Sequence, residues 1–429
     1  MQISVVGLWH LGSVTAACLA DKGFTVIGYD SEDRVIENFN AGRLPIFEPG
    51  LEDMVYKNIN NGNLSFSSNP ASIKDSDLIW VTIDTPVDEQ DKADIGFVIN
   101  EIEILFPHIR SGATVLIASQ LPVGSVAFLE NAYAKGFPEN DVSFACSPEN
   151  LRLGKAIDVF MNPDRIITGI RREEDKNKLT PVLHQISENI IWMKVESAEM
   201  TKHALNAFLA TSVVFINELA VLCEHVGANA KEVERGLKSE MRIGEKAYLR
   251  PGSAFAGGTL ARDVTYLVKK EEEHGLSSVF FSGIIQSNEN HKHWVRLKLS
   301  SIFKSLKNKK IGLLGLTYKP GTDTLRRSTA IDICYWLNEQ KAVVSAFDPQ
   351  VKSLPQELSK FVSLENSVQD VIVKNDAVIV ATELPKFKEL ASFDLSIIGK
   401  EFYILDENAF LKNELDKEGI NYISIGQSL

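Results

Sequence analysis

Short apolar, β-branched runs alternate with helix-length stretches through the first part of the chain, and the same alternation returns near its end. Residues 2–6 (QISVV) are the first such run. Gly7 and Gly12 follow, then an apolar helical stretch at 14–22, Gly23, and a second run at 25–29 that closes on Asp30. Short apolar runs bounded by turn residues predict buried strands, and helices between them predict βαβ units with parallel pairing. Further strands are predicted at 77–83, 113–118 and 142–146. They end in Asp84-Thr85-Pro86, in Ser119-Gln120-Leu121-Pro122-Val123-Gly124-Ser125 and in Ser147-Pro148-Glu149-Asn150. Ligands of open parallel sheets bind beyond the carboxyl ends of the strands, so these polar segments mark one rim.

Residues 197–225 read as one long helix. Met200, Ala204, Ala207, Phe208, Val214, Phe215 and Leu219 recur at helical spacing and form an apolar face. Lys202 and Asn206 lie four apart and share a face, either as solvated polar residues or as a functional pair. Asn217 and Glu218 interrupt the next apolar run. Such a helix suits a spine between domains and a dimer surface. A basic, helical stretch at 294–310 leads into a second α/β pattern. Its strands are predicted at 310–315, 343–347, 376–381 and 403–405, with a helix at 330–339. Its first loop carries Lys319, Pro320, Gly321, Asp323, Arg326 and Arg327, which suit a second phosphate ligand or a solvated turn. The expected fold is α/β: two Rossmann-like doubly wound parallel-sheet domains, 1–195 and 301–429, joined by a long central helix and a helical middle region, 196–300.

Composition narrows the classes. A chain of 429 residues is too long for one ordinary core. A formal net charge of −12 disfavours nucleic acid and anionic membranes as partners. The four Cys (18, 146, 223 and 334) show no C-x-x-C spacing, which argues against a disulfide framework or a metal site and suits a reducing cytoplasm. The N-terminus runs straight into a strand without a signal-like segment, and no run is expected to reach transmembrane length.

Two stretches carry candidate chemistry. Gly7-Leu8-Trp9-His10-Leu11-Gly12 sits where a βαβ unit places its pyrophosphate turn, and Asp30 ends the second strand, where an acid takes ribose hydroxyls and favours NAD over NADP. Trp9 occupies the middle Gly position of that fingerprint. His10 either touches a phosphate or is a solvated loop residue. The second stretch, PGSAFAGGTLARD at 251–263, is either a loop entering a helix, with Thr259 as its cap and Asp263 in its first turn, or a ligand loop carrying reactive side chains.

Taken in order, these segments resemble the UDP-glucose/GDP-mannose dehydrogenase family nearly end to end. GLWHLG is similar to that family's GLGYVG, SQLPVG at 119–124 to STVPVG, and SPENLRLGKAIDVFMNPDRIITG at 147–169 to SPEFLREGxAxxDxxxPxRIVIG. EMTKHALNAFLA at 199–210 resembles the helix with the family's catalytic Lys and Asn. Arg242-Ile243-Gly244 followed by PGSAFAGGTLARD resembles RIG…PGxGYGGSCFPKD, and GLTYKPGTDTLRRS at 315–328 resembles GLAFKPxTDDxRxSP. The resemblance implies oxidation of a sugar nucleotide at C6, from alcohol to carboxylate, with two molecules of NAD. It implies that Lys202 and Asn206 stabilise the oxyanion at C6, that Asp263 places a water or base, that Glu149 serves hydrolysis of a covalent intermediate, and that Thr259 stands at the nucleophile's position. Glu149, Leu151, Arg152, Lys202, Asn206, Arg242 (in some members across a dimer), Tyr248, Gly257, Tyr318 and Lys319 would face the substrate. Gly7, Trp9, His10, Leu11, Gly12, Asp30, Thr85, Pro86, Ser119, Gln120 and Arg326 would face the cofactor.

The departures fall where the chemistry happens. The family's nucleophile is a Cys, whose thiolate adds to the C6 aldehyde; the resulting thiohemiacetal is oxidised to a thioester. Thr259 has a far higher hydroxyl pKa and a crowded, branched β-carbon. Gln120 replaces a Thr, Arg262 a Lys, Ala256 a Gly and Asp84 a Pro. Cys146 is either a substitute thiol on the same rim or a buried small hydrophobe. The expected function is NAD-dependent oxidation of a UDP-glucose-like nucleotide sugar at C6, stopped or slowed after the aldehyde. A non-oxidising sugar-nucleotide binder with a regulatory or assembly role stays open, as does an NAD-dependent epimerase-type rearrangement. The expected partners are a UDP- or GDP-linked sugar and a second copy of the chain through the central helix.

Overall fold

The computed structural model describes residues 1–86, 93–149, 151–326, 328–394, 401–415 and 420–427. The chain divides into two compact units, Met1–Leu205 and Asn206–Leu429. The first is built on eight strands: β1 (Gln2–Val6), β2 (Thr25–Tyr29), β3 (Leu64–Ser67), β4 (Leu78–Val81), β5 (Thr114–Ile117), β6 (Ser143–Cys146), β7 (Ile166–Ile170) and β8 (Ile190–Lys194). Their spatial order is 3-2-1-4-5-6-7-8. Strands β1 to β6 are parallel, with Ile3 opposite both Val26 and Leu78. The sheet reverses between β1 and β4, which puts its switch point beside the Gly7 turn.

Both faces of this sheet are covered, which is why its strands read as unbroken apolar runs rather than alternating ones. Leu78 and Trp80 pack on one side with Ile3, Val5 and the His10–Asp21 helix; Ile79 and Val81 pack on the other with Val6, Val98 and Ile102. The expected doubly wound parallel sheet is present, with one departure from parallel pairing after β6. Strand β7 meets β6 antiparallel, through Cys146 and Gly169, and β8 follows β7 in parallel. Strand direction depends on where the intervening loop carries the chain, and apolar spacing does not encode it. The first helix starts at His10, not at 14, because the Gly turn is tighter than the pattern suggests and Gly12 lies inside the helix.

The second unit holds six parallel strands: β9 (Lys310–Leu314), β10 (Val343–Phe347), β11 (Val362–Leu364), β12 (Ala377–Val380), β13 (Tyr403–Leu405) and β14 (Asn421–Ile423), in the order 11-10-9-12-13-14. This is the order of β3-β2-β1-β4-β5-β6, so both modules share one winding. Ahead of them come the helices Ala230–Lys238, Thr259–Glu273, Val279–His291 and Trp294–Ile302. The last is shorter than the helix expected at 294–310, since Phe303 takes extended backbone at its end. Val264, Leu267 and Ile284 pack these helices against Ala207 and Ala210.

The long helix runs from Val195 to Val226, 32 residues. It corrects one expectation: it is long and apolar enough, by length and composition alone, to cross a membrane. Asn206, Asn217 and Glu218 break up the run to the eye but are too few to change its average. Its small residues serve packing, with Ala198, Ala207, Ala210, Ala220 and Cys223 all buried.

Candidate active site

The turn after β1 is shaped by sterics. Gly7 adopts φ +87° and donates its N–H to the Tyr29 carbonyl at 2.9 Å. A Cβ at Gly7 would lie 2.8 Å from Ile83 Cα, and one at Gly12 would lie 1.7 Å from the Gly7 carbonyl oxygen. Neither position accepts a side chain. Trp9, at the middle position, has extended backbone (φ −76°, ψ −153°) and is 53% exposed, so the turn closes without burying this large residue. Trp9, its N-cap, gives the helix that starts at His10 no side-chain cap, and no acid lies in that helix's first turn, an arrangement that suits an anion at its N-terminus. Asp30 takes the Leu8 N–H at 2.9 Å while staying partly exposed. Across the switch point, Thr85 binds the Gln120 carbonyl at 2.9 Å; Ser119 is 6% exposed and its Oγ has no partner among the described residues. A tight Gly cradle, an acid at the end of β2 and an orphaned hydroxyl on the rim together fit a dinucleotide.

His10 is not a solvated loop residue. Its Nε2 lies 3.0 Å from Glu48, a carboxylate 4% exposed that also accepts the N–H groups of Gly154 (2.8 Å) and Ala156 (2.9 Å). Burial alone would raise the Glu48 pKa, but these backbone donors and His10 outweigh it and hold the carboxyl below its ordinary value.

The first turns of the long helix seat two rim loops of the first unit. Glu199, buried, accepts Gly124 N–H (2.7 Å) and Val126 N–H (3.0 Å), capping the helix Ser125–Gly136. Burial nevertheless keeps its pKa above the ordinary value. His203, also buried, lies 3.2 Å from the Leu121 carbonyl. Lys202 donates to the Glu149 carbonyl at 2.6 Å. Leu151 is half-buried and Arg152 exposed in the same loop. Asn150 lies outside the described residues, as does Arg327. Sequence reading finds Lys202 but misses Glu199 and His203, whose partners lie more than seventy positions away in the chain.

In the second unit, Asn206 Nδ2 donates to Asp263 at 2.5 Å, and the two are 5% and 1% exposed. Asn206 sits one helical turn beyond Lys202 on the continuous helix. Asp263 belongs to the helix Thr259–Glu273, which corrects the plainer reading of this stretch. Gly258, at φ +85°, is the N-cap; Thr259 is the first helical residue, exposed, and Asp263 lies beyond the first turn. The 251–258 loop ahead of it is pinned from several sides. Asn217 accepts the Gly252 N–H at 3.0 Å, Asn288 both accepts from Phe255 N–H (3.0 Å) and donates to its carbonyl (2.9 Å), His291 reaches the Gly252 carbonyl (2.9 Å), and Asn408 accepts the Ser253 N–H (2.9 Å). Asn217, which merely interrupts an apolar run in the sequence, is thus an anchor.

The second module copies the first turn with a different outcome. Gly315, at φ +93°, donates to the Phe347 carbonyl at 2.9 Å, as Gly7 does to Tyr29. Asp348, at the place of Asp30, is 2% exposed and accepts Leu316 N–H, Thr317 N–H, the Thr317 hydroxyl and Gln350 N–H. Its carboxylate is spent inside the fold, so this module lacks the acid a ribose would need. Beside it, the Tyr318 hydroxyl lies 3.9 Å from where a Cβ of Gly258 would stand, while Lys319 and Arg326 are exposed. Tyr248 is exposed, and Arg242 is exposed and paired with Glu240 at 3.0 Å.

All four cysteines are free and buried. Burial pushes Cys18 and Cys334 up to about 12 and drives Cys146 higher still, with the Glu199 charge adding to it. Cys146, 4% exposed, is therefore the small hydrophobe and not a substitute nucleophile. Cys146→Ala should leave turnover unchanged, as steady-state rates of the variant and wild type will show.

Residues 1–187 match the NAD binding domain of the UDP-glucose/GDP-mannose dehydrogenase family, 196–290 its central domain and 312–413 its UDP binding domain. The chain belongs to this family. It is 31% identical to the UDP-glucose 6-dehydrogenase of Rhizobium meliloti (strain 1021), over 100% of both chains. It is 31% identical to the UDP-glucose 6-dehydrogenase TuaD of Bacillus subtilis (strain 168), over 99% of this chain and 93% of that one. A UDP-glucose dehydrogenase from the archaeon Pyrobaculum islandicum superposes with a TM-score of 0.80 at 28% identity, covering 94% of this chain and 93% of its own. The chain is an NAD-dependent nucleotide-sugar dehydrogenase, and its first unit supplies the cofactor turn.

Proposed function

We propose that the chain oxidises a UDP-linked hexose at C6, and that it performs the alcohol-to-aldehyde step efficiently and the aldehyde-to-acid step poorly. NAD, when bound, supplies the acceptor for the hydride leaving C6. The protein's part is to manage charge on the C6 oxygen. Lys202, anchored on the Glu149 carbonyl, supplies a cation where the oxyanion develops; the Asn206 amide, held by Asp263, supplies a neutral donor one turn further on. Asp263, nearly fully buried, places the base or water. Residues 301–429 hold the nucleotide, with Tyr318 and Lys319 toward the sugar phosphate.

The observation that carries the second half of the proposal is the lack of a usable thiol. Thr259 offers an alcohol at the head of its helix, and every cysteine is buried. Without a thiohemiacetal, the aldehyde goes on to acid only by adding water first, as a hydrate that loses a second hydride. The test is to incubate purified protein with NAD and a panel of UDP- and GDP-sugars while following NADH absorbance. NADH formation with a UDP-hexose is expected. Failure with every sugar, despite binding of UDP, would overturn the reading.

We also infer that the chain pairs with a second copy through the long helix. Phe208, Phe215 and Leu222 stand seven residues apart and are 71%, 50% and 55% exposed. A seven-residue apolar spacing is the seam of a helix packed along its like. Phe215→Glu places a charge in that seam and should convert a dimer to monomers in light scattering; a dimer surviving both this change and Phe208→Glu would contradict the assignment.

A further inference from the structure

Glu48 has no part in the chemistry above, yet three hydrogen bonds converge on its buried carboxylate from separate stretches of the first unit. One comes from His10, the first residue of the helix behind the dinucleotide turn, at 3.0 Å. An ionised carboxylate only accepts, so the imidazole donates from Nε2. The other two come from the N–H groups of Gly154 and Ala156, at 2.8 and 2.9 Å. Gly154 lies just ahead of the helix Ala156–Met161, which Ala156 opens, and both follow in the chain from Glu149, whose carbonyl accepts from Lys202 at 2.6 Å. Contacts thus run from the cofactor turn through His10 and Glu48 to Gly154 and Ala156, a few residues along the chain from the Glu149 carbonyl that seats Lys202. Removing any one donor leaves a buried charge less well satisfied, so the donors reinforce one another.

We propose that Glu48 is a positioning residue that makes the cofactor turn and the sugar-facing loop bind their ligands cooperatively. A dinucleotide on the turn fixes the His10 ring against Glu48; Glu48 then fixes the loop by its two backbone N–H groups, and with it the seat of Lys202. The reverse holds by linkage: a sugar nucleotide that orders the loop tightens the cofactor turn by the same factor. This rests on the assignment of NAD to the turn and of the sugar to the loop made above.

The test measures binding rather than turnover. NADH and UDP-glucose cannot react, so both bind together without consuming either. Calorimetric titration of the wild-type chain with UDP-glucose should give a Kd about fivefold or more lower with saturating NADH than without it. In His10→Phe and Glu48→Ala the ratio of the two Kd values should fall to about one. His10→Gln, which keeps a donor nitrogen at similar reach, should restore most of it. A merely structural role would weaken each ligand singly and leave the ratio in place. An unchanged ratio in His10→Phe overturns the proposal even if Glu48→Ala fails to fold, and so does a wild-type ratio of one. Absence of binding of both ligands by the wild type overturns the functional reading and this inference together, whereas independent binding overturns this inference alone.

Discussion

Lys202→Met should lower kcat by about a hundred- to a thousand-fold, with KM for the sugar nucleotide little changed. The side chain is half-buried and fixed by the Glu149 carbonyl, so its charge acts in a partly dried setting where it is worth more than in water. In the proposed reaction that charge is used only as the C6 oxygen becomes anionic, which would place its loss on kcat rather than on ground-state binding. Lys202→Arg should not rescue the rate, because a planar guanidinium cannot take the same single bond from the same stem. Asn206→Ala should act in the same direction, with a stability loss of about 1–3 kcal/mol because it strips a buried partner from Asp263. Stopped-flow measurement of NADH formation separates these effects. A Lys202→Met variant within about tenfold of wild type would remove Lys202 from the chemistry.

Thr259→Cys should change the product and not only the rate. Position 259 is the first residue of a 15-residue helix and is exposed. A thiol there meets unsatisfied backbone N–H groups and the positive end of the helix, both of which favour thiolate. The native threonine gains nothing comparable, since its hydroxyl lies far from ionisation at neutral pH and its β-carbon is branched. The variant is expected to form a thiohemiacetal with the C6 aldehyde, to oxidise it to a thioester and to release the carboxylate with a second NADH. Product mass spectrometry on matched time courses distinguishes aldehyde hydrate from acid. An unchanged product in a well-folded Thr259→Cys variant would show that the block lies elsewhere, at Gln120 or in the 251–258 loop.

How much of this was legible in the chain depends on how far each contact reaches. The Gly7 and Gly12 turn, Asp30 and the helix after it are local, so their spacing discloses them. Lys202 and Asn206 show their shared face for the same reason. The winding of the second sheet follows from its repeat of the first. What stayed hidden joins distant segments. Glu48 serves residues more than a hundred positions away, and Asn408 holds Ser253 across a still longer stretch. Each is an ordinary polar residue in sequence. The reversal at β7 was hidden because side-chain alternation is identical for either strand direction. Asp348 is the instructive case. It ends its strand as Asp30 does, and only its burial and its four donors reveal that it is an internal strut while Asp30 stays partly exposed.

The most direct test is the count of NADH formed per sugar nucleotide consumed by the wild-type chain, read by absorbance, with the product identified by mass spectrometry at the same time points. The site described here predicts about one NADH per sugar in the fast phase and a C6 aldehyde, recovered largely as its hydrate, with acid appearing only slowly. Two NADH per sugar in a single phase, with the carboxylate as the only product, would contradict it.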